Sequence, residues 1–217
     1  MADKIQNAYH ASKNIYDTVL TQGNVFSRLY IKLFWGGTDD VAVANRLLSW
    51  VPDDFAGKLL DVPVGTAVFT EEKWKRLSQA HITCLDYSQD MLDQARTRLG
   101  DQTHIQLVQG DVGKLPMPDA AFDLVLSMNG FHAFPDKEKA FQETWRVLKP
   151  GGSFLACFYI RGESAVTDWL VRRILSRKGW FTPPFQTRQE LQALLETMYR
   201  SVELVTDGSL VSFRCVK

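Results

Sequence analysis

The stretch Lys58-Leu-Leu-Asp-Val-Pro-Val-Gly-Thr-Ala67 decides the fold: an apolar run ends on a carboxylate, Asp61, and turns over a single glycine, Gly65, into helix-forming sequence. Two further acids repeat the pattern. Asp86 closes the run His81-Ile-Thr-Cys-Leu85, and Asp111 follows Ile105-Gln-Leu-Val-Gln-Gly110. Asp61, Asp86 and Asp111 stand at equal intervals of 25 residues, the length of one strand-helix unit. Carboxylates so spaced line up along the C-terminal edge of a parallel sheet, where open α/β sheets bind ligands. Three acids on one rim suit a ligand rich in hydroxyls and amines.

Working outward, Lys58 to Val62, Ile82 to Leu85, His104 to Val108, Phe122 to Leu126 and Ser153 to Tyr159 are short apolar runs of the kind buried on both faces of a parallel sheet. Between them, Ser88 is placed to cap a helix whose Met91, Leu92, Ala95 and Leu99 recur at helical spacing, with Gly100 as its stop. Ala140, Phe141, Thr144, Val147 and Leu148 form a second stripe, ended by the turn Lys149-Pro-Gly-Gly152. This alternation predicts βαβ units with right-handed crossovers. After Tyr159 the rhythm breaks into an insertion over 161–189, then a helix near Arg188 to Tyr199. Two last strands, Ser201 to Thr206 and Leu210 to Val216, are joined by the hairpin signal Asp207-Gly208.

Composition bounds the rest. The chain has 217 residues, 45% of them hydrophobic, enough for one large core. Lys+Arg and Asp+Glu both number 25, so no overall field favours nucleic acid or a membrane surface. The three cysteines, Cys84, Cys157 and Cys215, are far apart in apolar runs and read as buried thiols, with neither a disulfide framework nor a metal site expected. The N-terminal residues carry no signal-peptide pattern and no later run reaches membrane-spanning length, so a cytoplasmic location is expected.

The loop after the first strand narrows the ligand. A dinucleotide turn carries Gly-x-Gly-x-x-Gly, which lets the backbone approach a pyrophosphate. Here only Gly65 is present, and Pro63 lacks an N–H to donate. Asp61 would repel a phosphate, whereas it can attract an ammonium group through ordered water.

These residues resemble the class I S-adenosylmethionine-dependent methyltransferases, within them the small-molecule group related to ubiquinone and menaquinone C-methyltransferases. The matching pieces span about Lys58 to Tyr159. Leu60-Asp-Val-Pro-Val-Gly-Thr66 is similar to the family's glycine-rich first motif, and Leu85-Asp-Tyr-Ser-Gln-Asp-Met-Leu92 to its second. Gly110-Asp-Val112 is similar to the adenine-contacting motif. Phe122-Asp-Leu-Val-Leu-Ser127 resembles the fourth strand, and Arg146-Val-Leu-Lys-Pro-Gly-Gly152 the turn into the fifth. Pro63 and Ala67 depart from the first motif, standing where the family usually has glycine.

The resemblance implies a Rossmann-like three-layer α/β sandwich with a seven-stranded, mostly parallel sheet whose last strand is antiparallel. It divides the chain into a helical N-terminal cap (1–50), a cofactor-binding core (58–160), a lid insertion (161–189) and a C-terminal helix and hairpin (190–217). The implied cofactor is S-adenosylmethionine. Asp61, Pro63, Gly65, Thr66, Asp86, Tyr87, Met91, Asp111, Val112, Ser127 and Asn129 are its expected contacts, with Asp86 on the ribose hydroxyls and Asp111 on the adenine amine. For Asp111 the alternative is a turn cap ahead of Gly113, with the adenine contact preferred, while Met91 reads equally as a core residue of its helix. Tyr16-Asp17 resembles a pair that closes over the cofactor in quinone methyltransferases.

His132, in the loop Ser127-Met-Asn-Gly-Phe-His-Ala-Phe134, is the titratable base candidate there, against a structural histidine packed among Phe131 and Phe134. Methyl transfer needs an in-line nucleophile and exclusion of water more than a triad, so lids matter. One candidate is the aromatic-rich segment Tyr9 to Trp35. The other is the insertion, where Val166, Trp169, Leu170, Ile174 and Leu175 form one stripe expected to bury against the sheet. Arg172, Arg173, Arg177 and Lys178 then read as a solvated opposite face, with no stable membrane association and no nucleic-acid partner. The expected partner is a small planar or lipophilic methyl acceptor, and the chain a monomer or homodimer. The alternatives are an NAD-type oxidoreductase on a related sheet and a non-catalytic nucleoside-binding protein.

Overall fold

The computed structural model describes residues 39–217. The elements run α1 (Asp40–Ser49), β1 (Lys58–Asp61), α2 (Glu71–Arg76), β2 (His81–Asp86), α3 (Gln89–Leu99), β3 (Ile105–Gln109), β4 (Phe122–Met128), α4 (Lys137–Val147) and β5 (Leu148–Tyr159). There follow α5 (Ala165–Leu170), a π-helical segment (Val171–Leu175), α6 (Ser176–Lys178), α7 (Arg188–Met198), β6 (Ser201–Asp207) and β7 (Leu210–Val216). The strands form one seven-stranded sheet in the order β3-β2-β1-β4-β5-β7-β6. β1 to β5 are parallel, and β7 runs antiparallel between β5 and β6. The order reverses between β1 and β4, which opens a crevice at that switch point.

Alternating side chains feed two cores. Leu59, Leu124, Leu126, Leu155, Cys157 and Tyr159 pack with α1, α2, α3 and the insertion on one face. Leu60, Val125, Phe154, Ala156, Phe158 and Phe213 pack with α4 and α7 on the other. The central strands are buried on both sides, which is why they read as continuous apolar runs, while β3 and β6 at the edges are only half-buried. All three cysteines are buried and free. Phe131 anchors the second core through ring contacts at 4.2–5.9 Å with Phe134, Phe141, Phe154 and Phe158.

Several local expectations are revised. Lys149-Pro-Gly-Gly152 does not precede β5 but lies within it as a bulge, because Leu148 pairs with Phe122 and pairing resumes only at Ser153 with Leu124. The bulge is held by Gly151, at φ 78°, and by backbone bonds with Lys217. In the last hairpin Asp207 pairs with Leu210, so the two-residue turn is Gly208-Ser209. Ser88 is the N-cap of α3 yet makes no side-chain cap bond, whereas Thr187 and Glu190 form a full capping box on α7.

The insertion is rotated relative to its expected stripe. Thr167, Val171 and Leu175 face the core, while Val166 and Trp169 are 60% and 57% exposed. The rotation has a polar cause. Tyr159 donates its hydroxyl to Asp168 Oδ1 at 2.6 Å, and Gly162 donates its N–H to Asp168 Oδ2 at 2.9 Å, so Asp168 is pinned inward and turns the neighbouring Trp169 out. Phe181 and Phe185 supply the seal instead, packing edge-on against Tyr159. Of the N-terminal cap expected over 1–50, α1 lies within the described residues. The aromatic segment Tyr9 to Trp35, with Tyr16, lies outside them.

Candidate active site

Asp61, Asp86 and Asp111 share one cleft at the C-terminal edge of the sheet. Asp61 and Asp86 end their strands and Asp111 follows the end of β3 by two residues, so the 25-residue interval of the sequence brings all three to the same edge. The β1 loop from Val62 to Thr70 lines one part of the cleft, Tyr87, Ser88 and Met91 another, and Gly110 and Val112 the adenine-side rim suggested by the motif. Met128, Asn129, Gly130, Ala133, Phe134 and Pro135, all at or after the end of β4, form the remaining wall.

Asp61 is fully enclosed and held from behind. Trp74 donates its indole N–H to Asp61 Oδ2 at 2.8 Å. Burial pushes the Asp61 carboxyl up to about 7 despite the Trp74 bond, and the neighbouring charge of Asp86 pushes the same way. Asp86 ties two turns together: Gly65 donates its N–H to Oδ2 at 2.9 Å, and Ser88 donates its N–H to Oδ1 at 2.9 Å. Burial raises Asp86 to about 6 against the pull of these amides.

Backbone shape leaves room beside the acids. Gly65 has φ 56°, and a side chain added there would meet no atom within 4 Å, so this point of the loop offers the open backbone approach that a bound nucleoside needs. Ala67 adopts φ 60°, the left-handed conformation where the related motif has glycine. Its methyl is buried in the first core and also borders the cleft. Gly130 is needed for a different reason: a Cβ there would stand 2.4 Å from Pro63 Cδ and 2.6 Å from Phe134 Cζ. Pro63 and Phe134 thereby close on each other across the switch point.

The structure brings together Asp61, Pro63, Gly65, Thr66, Asp86, Tyr87, Met91, Asp111, Val112 and Asn129 as cleft residues. Asp111 Oδ1 accepts from the Gly113 N–H at 2.8 Å, so it caps its turn while bordering the cleft. Asn129, at φ 53°, donates its N–H to the Cys157 carbonyl at 2.8 Å, holding a strained turn at the cleft wall. Ser127 and His132 stand outside the lining. The Ser127 Oγ is buried without a partner among the described residues.

His132, the base candidate, lies behind the cleft wall and not on it. Its ring stacks on Phe181 at 4.0 Å, and Nδ1 accepts from the Tyr159 N–H at 3.4 Å. Burial, with a smaller contribution from Lys137, lowers its pKa to about 3. The imidazole is therefore neutral and enclosed, joining the β4 loop to the insertion, and the structural alternative is the one its surroundings support.

Sequence reasoning missed Trp74, which lies in a short helix and gives no signal of its bond to Asp61. It also missed the cleft residues Phe69, Thr70, Ser88, Met128 and Phe134. Position was the available clue for Met128, the last residue of β4. Asp40 was missed too: it is buried at the start of α1, Oδ1 has no partner among the described residues, and burial together with Asp39 raises its pKa to about 7.

With this geometry in place, comparison with known proteins is specific. Residues 60–156 match the methyltransferase domain family model. A demethylmenaquinone methyltransferase of Deinococcus radiodurans is 43% identical over 96 residues, which are 44% of this chain and 40% of that protein. The chain thus spans less than half the length of that relative. A malonyl-[acyl-carrier protein] O-methyltransferase of Geobacter sulfurreducens is 30% identical over 213 residues, covering 95% of this chain and 74% of that protein. Among solved structures, a SAM-dependent methyltransferase of Thermotoga maritima superposes with a TM-score of 0.69 at 18% identity, over 98% of this chain and 99% of that one, a likeness of fold. An acid row on β1 to β3, a single-glycine loop open at Gly65, and a relative matched along nearly the whole chain converge on one assignment: this chain belongs to the class I S-adenosylmethionine-dependent methyltransferases.

Proposed function

We propose that the protein transfers a methyl group from S-adenosylmethionine to a small, planar or lipophilic acceptor. The observation that carries this reading is the division of the cleft: three carboxylates on the β1–β3 side, and a largely apolar wall of Met128, Ala133, Phe134 and Pro135 on the β4 side. A polar nucleoside suits the first half and an apolar acceptor the second. One of the relatives above is named for a quinone and the other for a carrier-bound malonyl group, so the acceptor class is read from the wall.

The cofactor supplies a sulfonium-activated methyl group when bound. In this reading Asp86 accepts from the ribose hydroxyls, Asp61 faces the ammonium end through ordered water, and Asp111 accepts from the adenine amine. Met91 and Tyr87 flank the base, and Gly65 and Thr66 give the backbone approach. Pro63 and Asn129 shape the passage between the two halves. The protein's task is to hold the acceptor in line and exclude water, and no side chain on the apolar wall serves as a base. Incubation with S-adenosylmethionine and a panel of quinols, phenols and carboxylic acids, read by mass spectrometry, tests this. A mass gain of one methyl group on an apolar acceptor supports the reading, and labelling of hydrophilic acceptors alone sinks the acceptor class.

A further inference from the structure

We propose that the outer face of α5 through α6 is a docking surface for an anionic lipid bilayer. Val166, Trp169 and Ile174 are 60%, 57% and 38% exposed, three of the six large apolar side chains that stand out among the described residues. They fall within nine residues of one another, on the face opposite Thr167, Val171 and Leu175. Arg172, Arg173, Arg177 and Lys178 are exposed along the same segment, and none of them forms a salt bridge among the described residues. Asp168, the acid nearest the cations in sequence, is turned inward to Tyr159 and Gly162. The outer face therefore combines a projecting tryptophan, two aliphatic side chains and four cations that lack a salt bridge among the described residues, Lys178 lying over the Trp180 ring at 5.0 Å.

This composition selects its occupant. An interfacial helix sinks its aromatic and aliphatic side chains to the headgroup level while long basic side chains reach phosphates beside them. Lipid phosphates are mobile and meet cations at any spacing, so a bare convex helix suffices. A standard protein interface engages about 20–30 residues a side, far more than three projecting side chains offer. Among the described residues no helix is long and apolar enough to cross a membrane, so contact would be with the surface.

The surface adjoins the cleft through a short run of hydrogen bonds. Thr182 donates its N–H to the His132 carbonyl at 2.8 Å and its hydroxyl to the Ala133 carbonyl at 2.9 Å, while Lys137 bonds the Thr182 carbonyl. The insertion is thus clipped to the wall that includes Ala133 and Phe134. Lipid docking concerns this outer face alone and holds whichever acceptor the cleft takes.

The test is co-sedimentation of the full chain with vesicles of phosphatidylcholine alone and of phosphatidylcholine mixed with phosphatidylglycerol, at low and high salt. Binding to the mixed vesicles only, released by salt, is expected. Two variants divide the surface: V166S/W169S/I174S and R172Q/R173Q/R177Q/K178Q. Each should lower the partition by at least about tenfold with circular dichroism and S-adenosylhomocysteine binding unchanged. Wild-type protein that stays in the supernatant, binds neutral vesicles equally, or binds no better than both variants overturns the proposal. So does a concentration-dependent dimer dispersed by W169S without vesicle binding, which would place a second copy on this face.

Discussion

Trp74 donates its indole N–H to Asp61 at 2.8 Å, so a fully buried ring from α2 orients the carboxylate that closes β1. The bond fixes one oxygen of Asp61 inside the protein while the residue borders the cleft. Trp74→Phe keeps the packing and deletes the donor. A buried carboxylate left short of a partner costs about 1–3 kcal/mol, so the variant should melt earlier. Its Asp61 pKa should also rise further, which a shift of the pH midpoint for cofactor binding to higher pH would reveal. Unchanged melting and an unchanged midpoint would show the bond to be idle.

Asp86→Ala removes the acceptor proposed for the ribose and also the tie between Gly65 and Ser88. Loss of charge-assisted bonds worth about 1.5–3 kcal/mol each should weaken S-adenosylhomocysteine by roughly tenfold to a hundredfold or more. Circular dichroism should show the fold intact. Unchanged affinity would remove the ribose assignment.

Ala67 pays for a left-handed backbone that glycine adopts freely. Relief of that conformation, less the extra unfolded-state entropy of glycine, predicts that Ala67→Gly stabilises the protein by about 1 kcal/mol. Thermal melting checks it. A destabilised variant would show that the core contacts of the methyl outweigh the strain.

Stability should depend on pH with an unusual sign. Asp40 and Asp61 are raised to about 7 and Asp86 to about 6, so between about 4 and 7 the folded ligand-free protein binds more protons than the unfolded chain. Their contribution is present at low pH and lost as pH rises through the folded values. His132, lowered to about 3, opposes them, since its contribution is lost as pH falls below its ordinary value near 6.5. Three groups outweigh one, so the ligand-free melting temperature should fall from pH 5 to pH 8, and Asp61→Asn should flatten the slope. Cofactor affinity should move the other way, strengthening as Asp61 and Asp86 ionise. A melting temperature that climbs over this range would contradict the assigned environments.

His132 makes a separable case. Its ring is enclosed between Phe181 and the Tyr159 backbone, so His132→Gln should lower stability and leave the rate per folded molecule within a few-fold. A loss of several orders of magnitude, with folding intact, would restore the general-base role.

The sheet was legible because its strands are buried on both faces and end on acids or turns, patterns that local sequence carries directly. Asp61, Asp86 and Asp111 needed only an interval to be placed together. What escaped depends on rotation and distance. The outward face of α5 is set by Asp168 meeting Tyr159 and Gly162, a contact that no helical periodicity encodes. The partnership of Trp74 with Asp61 joins a strand end to a helix face, and Trp74 by composition reads as core alone. His132 looked available because its loop is polar at Asn129, yet Phe181, nearly fifty residues later, covers it.

The most direct test of the central claim is calorimetric titration of the protein with S-adenosylmethionine, S-adenosylhomocysteine and NAD in parallel. The acid row and the single-glycine loop predict one-to-one binding of both sulfur nucleosides, weakened in Asp86→Ala, and no heat with NAD. Binding of NAD in their place would overturn the account and assign the cleft to hydride transfer.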